Sequence, residues 1–78
     1  MILYMFDLTC KDLKAYNTLK RRFYYQLKKS SMANAPFKTK SVLAVRDSLE
    51  NEADAFFLKW EGAIVVFKSK TTGVSQLL

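Results

Sequence analysis

Met1-Ile2-Leu3-Tyr4-Met5-Phe6-Asp7-Leu8 is an apolar run with one carboxylate close to its end. It reads as a strand. Because almost every position is apolar, the strand is expected at the centre of a sheet with both faces covered. A helix signal begins almost at once, with Thr9 as N-cap and Asp12 three residues later. Burying an ionised carboxylate without a partner is costly. Asp7 is therefore expected at the strand tip, where it reaches solvent, a metal or a phosphate-bound cation. The other reading is that Asp7 caps the coming helix or pairs with a lysine.

Working outward, the next element is a helix from about Lys11 to Lys29. Leu13, Tyr16, Leu19, Phe23 and Leu27 recur at spacings of three and four and form its apolar stripe. Lys14, Thr18, Arg21, Tyr25 and Lys28 make one solvent-facing row, and Lys28-Lys29 suit the negative end of the helix dipole. Residues 30–40 read as a loop in which Ala35-Pro36 ends any helix. Ser41 to Arg46 is a second buried strand. Asp47 or Ser48 is expected to cap a second helix, with Glu50 and Asn51 completing the capping arrangement. Leu49, Ala53, Phe56, Phe57 and Trp60 form its stripe, Glu61-Gly62 ends it, and Ala63 to Phe67 is a third strand.

The order β-α-β-α-β, with an additional short strand open to the chain around Phe37 or in the tail, defines an α+β domain over residues 1–67 and a tail over 68–78. A ferredoxin-like sandwich is the first expectation. A small parallel three-layer α/β sheet is the alternative, because each helix joins two strands that are able to run parallel.

The chain has 78 residues and carries a net charge of +6. Its distribution matters more than its sum. Residues 11–40 hold nine Lys/Arg against one acid, Asp12, whereas residues 47–61 hold five acids against Lys59. One positive face and one negative edge are expected. The negative edge would repel polyanions or pair with the basic half of another copy. The single cysteine, Cys10, excludes an intrachain disulfide and points to a reducing, cytoplasmic setting. It is expected to be a small half-buried residue rather than a nucleophile, since no base or second thiol accompanies it. The N-terminal apolar run is too short for a membrane span, so no membrane partner is expected.

With no histidine, Ser-His-Asp, Cys-His and His/Cys metal chemistry are excluded, and the two glycines, Gly62 and Gly73, form no nucleotide cradle. What remains is carboxylate chemistry, with Asp7 as the candidate catalytic and metal-binding residue. Mg²⁺ needs one or two carboxylates plus water and phosphate oxygens, so one Asp per subunit would suffice if a homodimer brought two together. No other cofactor is expected. Lys11, Lys14, Lys20, Arg21, Arg22, Lys28, Lys29, Lys38 and Lys40 form the candidate nucleic-acid surface, contacting phosphates without reading sequence. Alternatively, they are a solvated face. Phe56, Phe57 and Trp60 are assigned to the core or a dimer contact.

The residues Leu3-Tyr4-Met5-Phe6-Asp7-Leu8, the segment Leu19-Lys20-Arg21-Arg22-Phe23, the strand opening Ser41-Val42 and the closing Ala63-to-Phe67 strand resemble the small CRISPR-associated adaptation proteins. Those proteins share a ferredoxin-like fold with VapD-type ribonuclease toxins. The resemblance implies that Asp7 is the metal-binding aspartate of an endonuclease, facing its mate across a homodimer. It also implies double-stranded DNA or RNA along the basic surface and a tail that adds a strand to the other protomer. Members of that family also keep the aspartate where the role is structural. The family carries a hairpin between its helices, and here the partner of the Ser41–Arg46 strand has to come from the Phe37 region.

Two functions follow as expectations. One is a small dimeric nucleic-acid-binding protein, either a metal-dependent endonuclease or its non-catalytic relative. The other is a non-enzymatic module that binds a protein through its sheet edge or its acidic second helix.

Overall fold

Along β1 (Ile2–Leu8), Ile2, Tyr4 and Phe6 are buried while Met5 and Asp7 on the other side are exposed. The computed structural model describes residues 1–9, 11–35, 37–75 and 77–78. The expectations placed on Cys10 and Pro36 lie outside them. The elements after β1 are α1 (Leu13–Lys29), β2 (Phe37–Lys38), β3 (Val42–Val45), α2 (Glu50–Leu58) and β4 (Ile64–Lys70). A short 3-10 turn, Asp47–Leu49, leads into α2.

The strands form one sheet in the order β2-β3-β1-β4, and each neighbouring pair is antiparallel. α1 carries the chain from β1 past β3 to β2, and α2 carries it from β3 past β1 to β4. Each helix thus skips one strand, and the skipped strand runs the opposite way, which is why no parallel pair forms. This overturns the parallel three-layer alternative. The arrangement is an α+β fold compatible with a small ferredoxin-like sandwich. The additional short strand is β2, whose Phe37 and Lys38 pair with Ala44 and Leu43.

β1 is central as expected, yet only one of its faces is covered. Both helices lie on the side of Tyr4 and Phe6, where an aromatic core assembles. Tyr4 stacks on Phe57 at 5.0 Å between centroids, and Phe6 meets Phe23 at 5.3 Å and Phe57 at 5.5 Å. Phe23 has no exposed surface and also packs against Phe56 at 5.6 Å and Trp60 at 5.4 Å. Leu27, Met32, Leu43, Val45 and Ala53 complete the core. The opposite sheet face has no layer over it, and Phe67 on β4 is 67% exposed there. A two-layer fold covers one face of the sheet, so an apolar run does not by itself imply a third layer.

Local signals moved by a few residues. Asp12, not Thr9, caps α1, its carboxylate accepting from the Lys14 N–H. Thr9 instead donates its N–H and hydroxyl to the Ala63 carbonyl, tying the end of β1 to the start of β4. The helix starts at Leu13, which is 74% exposed, so the first position of the expected stripe does not reach the core. No capping box forms at α2, where neither cap position has a side-chain hydrogen bond. Asp47 is drawn away to the N-terminal ammonium. Gly62, at φ +88°, provides the turn from α2 into β4. β4 runs on to Lys70, three residues into the expected tail, because Ile2 to Tyr4 pair with Lys70 to Lys68. Thr71 N–H then closes the ladder on the Met1 carbonyl. No helix among the described residues is long and apolar enough to cross a membrane.

Candidate nucleic-acid interface

The acids of α2 have partners inside the fold. Lys68 Nζ on β4 bridges Glu50 Oε2 and Asp54 Oδ2, each at 2.8 Å, and Lys70 Nζ lies 3.6 Å from Glu50. The Tyr4 hydroxyl donates to Asp54 Oδ1 at 2.6 Å from inside the core. Lys68 holds the carboxyls of Glu50 and Asp54 below their ordinary values, and those carboxylates raise Lys68 in turn. Burial, followed by the bond to Asp54, pushes the Tyr4 phenol up. The expected negative edge is therefore largely neutralised by the two lysines of β4 and by the N-terminus at Asp47.

Among the described residues, none of the nine cations from Lys11 to Lys40 enters an ion pair. Lys14, Arg21 and Lys28 stand exposed along the outer row of α1, seven residues apart and so on one line. Lys11 is exposed just before the helix, and Lys20 is exposed one turn before Tyr24 on the same flank.

Two open clefts flank α1. Between α1 and α2 lies a cleft of about 740 Å³, lined by Arg22, Tyr25, Gln26, Lys29, Lys59 and Trp60 among others. Lys29 Nζ sits 4.5 Å above the Tyr25 ring, a cation–π contact worth about 0.5–1 kcal/mol at an exposed site. On the other flank a cleft of about 700 Å³ is lined by Tyr24, Lys28, Asn34, Lys38, Thr39 and Lys40. The local sequence builds this wall. Thr39 Oγ1 accepts from the N–H groups of Ser41 and Val42, and the Tyr24 hydroxyl donates to the Lys40 carbonyl, pinning the loop to α1. Neither cleft has a carboxylate in its lining.

Asp7 is placed elsewhere. It pairs with Val65 in the ladder and shares the uncovered sheet face with Met5, Val42 and Phe67. Those residues line a shallow depression of about 200 Å³. The sheet separates Asp7 from α1, so one chain does not bring the carboxylate to the basic surface. The Asp7 carboxylate makes no hydrogen bond or ion pair among the described residues. It neither caps α1 nor pairs with a lysine. No group of three or more His, Cys, Asp or Glu side chains converges among the described residues. A single chain thus offers Mg²⁺ one carboxylate at this position, and a second has to come from another copy.

Sequence reasoning missed Lys59 and Trp60 as wall residues of the first cleft. Lys59 is the lone cation in the acidic stretch 47–61, which was the available signal. Trp60 lies in the apolar stripe of α2 but one residue beyond Lys59, where the helix has given way to a turn and the ring is half-buried.

Comparison with known proteins finds no matching family model, no matching curated protein and no matching solved structure.

Proposed function

We propose that this chain is a small ferredoxin-like nucleic-acid-binding protein that grips phosphate backbones along α1 and its two flanking clefts, without reading sequence. The observation that carries this is the segregation of charge. Carboxylates and β4 lysines neutralise one another on one side, while among the described residues none of the nine cations from Lys11 to Lys40 enters an ion pair. A surface kept merely solvated needs no such separation. Neutralising several phosphates releases condensed counterions and gives affinity that falls steeply with salt.

Metal-dependent phosphodiester cleavage is the second reading, and the position of Asp7 favours it. Asp7 stands unpaired among the described residues on an apolar sheet face that a second copy of the chain would cover. Two carboxylates brought together there repel unless a cation lies between them, and Mg²⁺ suits that role with water and phosphate oxygens completing its shell. The resemblance of residues 3–8 to the CRISPR-associated and VapD-like proteins supports the same arrangement. The alternative of a protein-binding module retains the long edge of β4 but loses the acidic helix, whose carboxylates are already engaged.

The test is binding of short single- and double-stranded DNA and RNA with and without Mg²⁺, followed by product analysis. Salt-sensitive binding with a metal-dependent product that Asp7→Asn abolishes, binding being retained, supports the nuclease. Binding without product leaves a structural nucleic-acid protein. Absence of binding at low salt contradicts both and points to a protein partner.

A further inference from the structure

We propose that the cleft between α1 and α2 is a site for single-stranded nucleic acid, in which an unstacked base lies against Trp60 while adjoining phosphates meet Arg22, Lys29 and Lys59; this rests on the nucleic-acid reading above.

The lining of the cleft carries three cations and no acid, and Glu52, bonded to Ser31, stands just outside it. The three cations come from two helical segments, and Lys59 is the one basic residue in the stretch 47–61. Glu61, two residues further on, lines a different cavity together with Tyr4 and Asp54. The nearest acid in sequence is thereby turned away from the cleft.

The aromatic groups are held in place. Trp60 packs against Phe23 in a T-shaped pair, with centroids 5.4 Å apart and planes at 74°. Phe23 is fully buried at the centre of the core, so the indole is anchored on a fixed support. Tyr25, on the opposite wall, is 54% exposed and sits under Lys29 Nζ. Gln26, also in the lining, makes no side-chain hydrogen bond among the described residues, leaving its amide available to a base edge.

These features select a single strand over a duplex. A single strand exposes base faces that stack on aromatic rings in a sequence-tolerant way, and a basic groove tracks its backbone. A duplex keeps its base faces inside the stack and offers the cleft only phosphates. The outer row of Lys14, Arg21 and Lys28 meets either form; the cleft discriminates between them.

Trp60 is the protein's one tryptophan, so its fluorescence reports on this cleft alone. The experiment titrates the full chain with a labelled oligo-dT and with a blunt duplex of equal length, following both Trp60 emission and the anisotropy of the label. Oligo-dT is expected to quench Trp60 saturably, while the duplex binds with little quenching. Lys59→Gln, an exposed substitution that leaves the core intact, should reduce the slope of log K against log salt for oligo-dT by about 0.7. If oligo-dT binds by anisotropy while Trp60 emission is unchanged and Lys59→Gln behaves like the parent, the cleft is not the site, and the broader nucleic-acid reading stands. If neither measure detects binding, both readings fall.

Discussion

Tyr4 joins the core to the charged surface. Its ring stacks on Phe57, and its hydroxyl reaches Asp54, which Lys68 also holds. Replacing Tyr4 by Phe removes a hydrogen bond to a charged acceptor and is expected to lower stability by about 1–2 kcal/mol in urea unfolding. The same cluster sets a pH window. Glu50 and Asp54 are depressed by Lys68, so their contribution is present above the ordinary carboxylate values of 4.5 and 3.8 and is lost as pH falls through the lower folded values. Lys68 is raised above its ordinary 10.5 and Tyr4 above its ordinary 10.0. Their contributions are complete below those values and are lost as pH rises through the folded ones. Stability is therefore expected to be flat between about pH 5 and pH 9, falling on both sides. In Lys68→Gln the acid limb should be shallower, which thermal unfolding across pH would detect. Phe23 is the most deeply placed ring, and Phe23→Ala is expected to cost about 3–5 kcal/mol. In a chain of 78 residues that is a large part of the total stability, and calorimetry at neutral pH should show little or no cooperative transition.

At the scale of elements, periodicity located both helices and three of the strands, and it erred where tertiary context took over. Leu13 fits the α1 stripe by spacing, but at the first position of the helix it stands largely exposed. Thr9 has the chemistry of an N-cap, but the Ala63 carbonyl competes for its hydroxyl and Asp12 takes the cap. The run 1–8 is apolar on both sides, and sequence cannot distinguish a face buried by a helix from one left for another chain. Lys68-Ser69-Lys70 is polar and carries no strand signal of its own, so the sequence alone ends β4 at Phe67. Its strand character comes from pairing with β1, and its lysines are needed by α2. In the candidate site, the cations of α1 were legible by count and spacing. Lys59 and Trp60 were not, since their role depends on how α2 packs beside α1. One consequence is measurable in α1 itself. Residues 13–20 are exposed or half-buried, whereas Phe23 and Leu27 are buried, so amide exchange should be faster over the first half of the helix than over the second.

At the scale of the whole molecule, the fold sorts its charges and leaves one sheet face bare. The bare face holds Met5, Val42, Val65 and Phe67 around Asp7, and a second copy of the chain is the occupant proposed for it. Sedimentation should then show a dimer that Phe67→Lys dissociates and that Mg²⁺ or Asp7→Asn strengthens, because each relieves repulsion between paired carboxylates. A monomer under all four conditions would remove the two-carboxylate site. Phosphate binding by the basic surface is tested by the salt dependence of affinity for a short nucleic acid. The parent chain is compared with Lys14→Glu/Arg21→Glu/Lys28→Glu and with Lys70→Gln as a control remote from α1. Log K is expected to fall steeply with log salt for the parent and for Lys70→Gln, whereas the triple variant should bind far more weakly with a slope shallower by about 2 to 3. Equal affinity and equal slope in the parent and the triple variant would contradict binding by that surface.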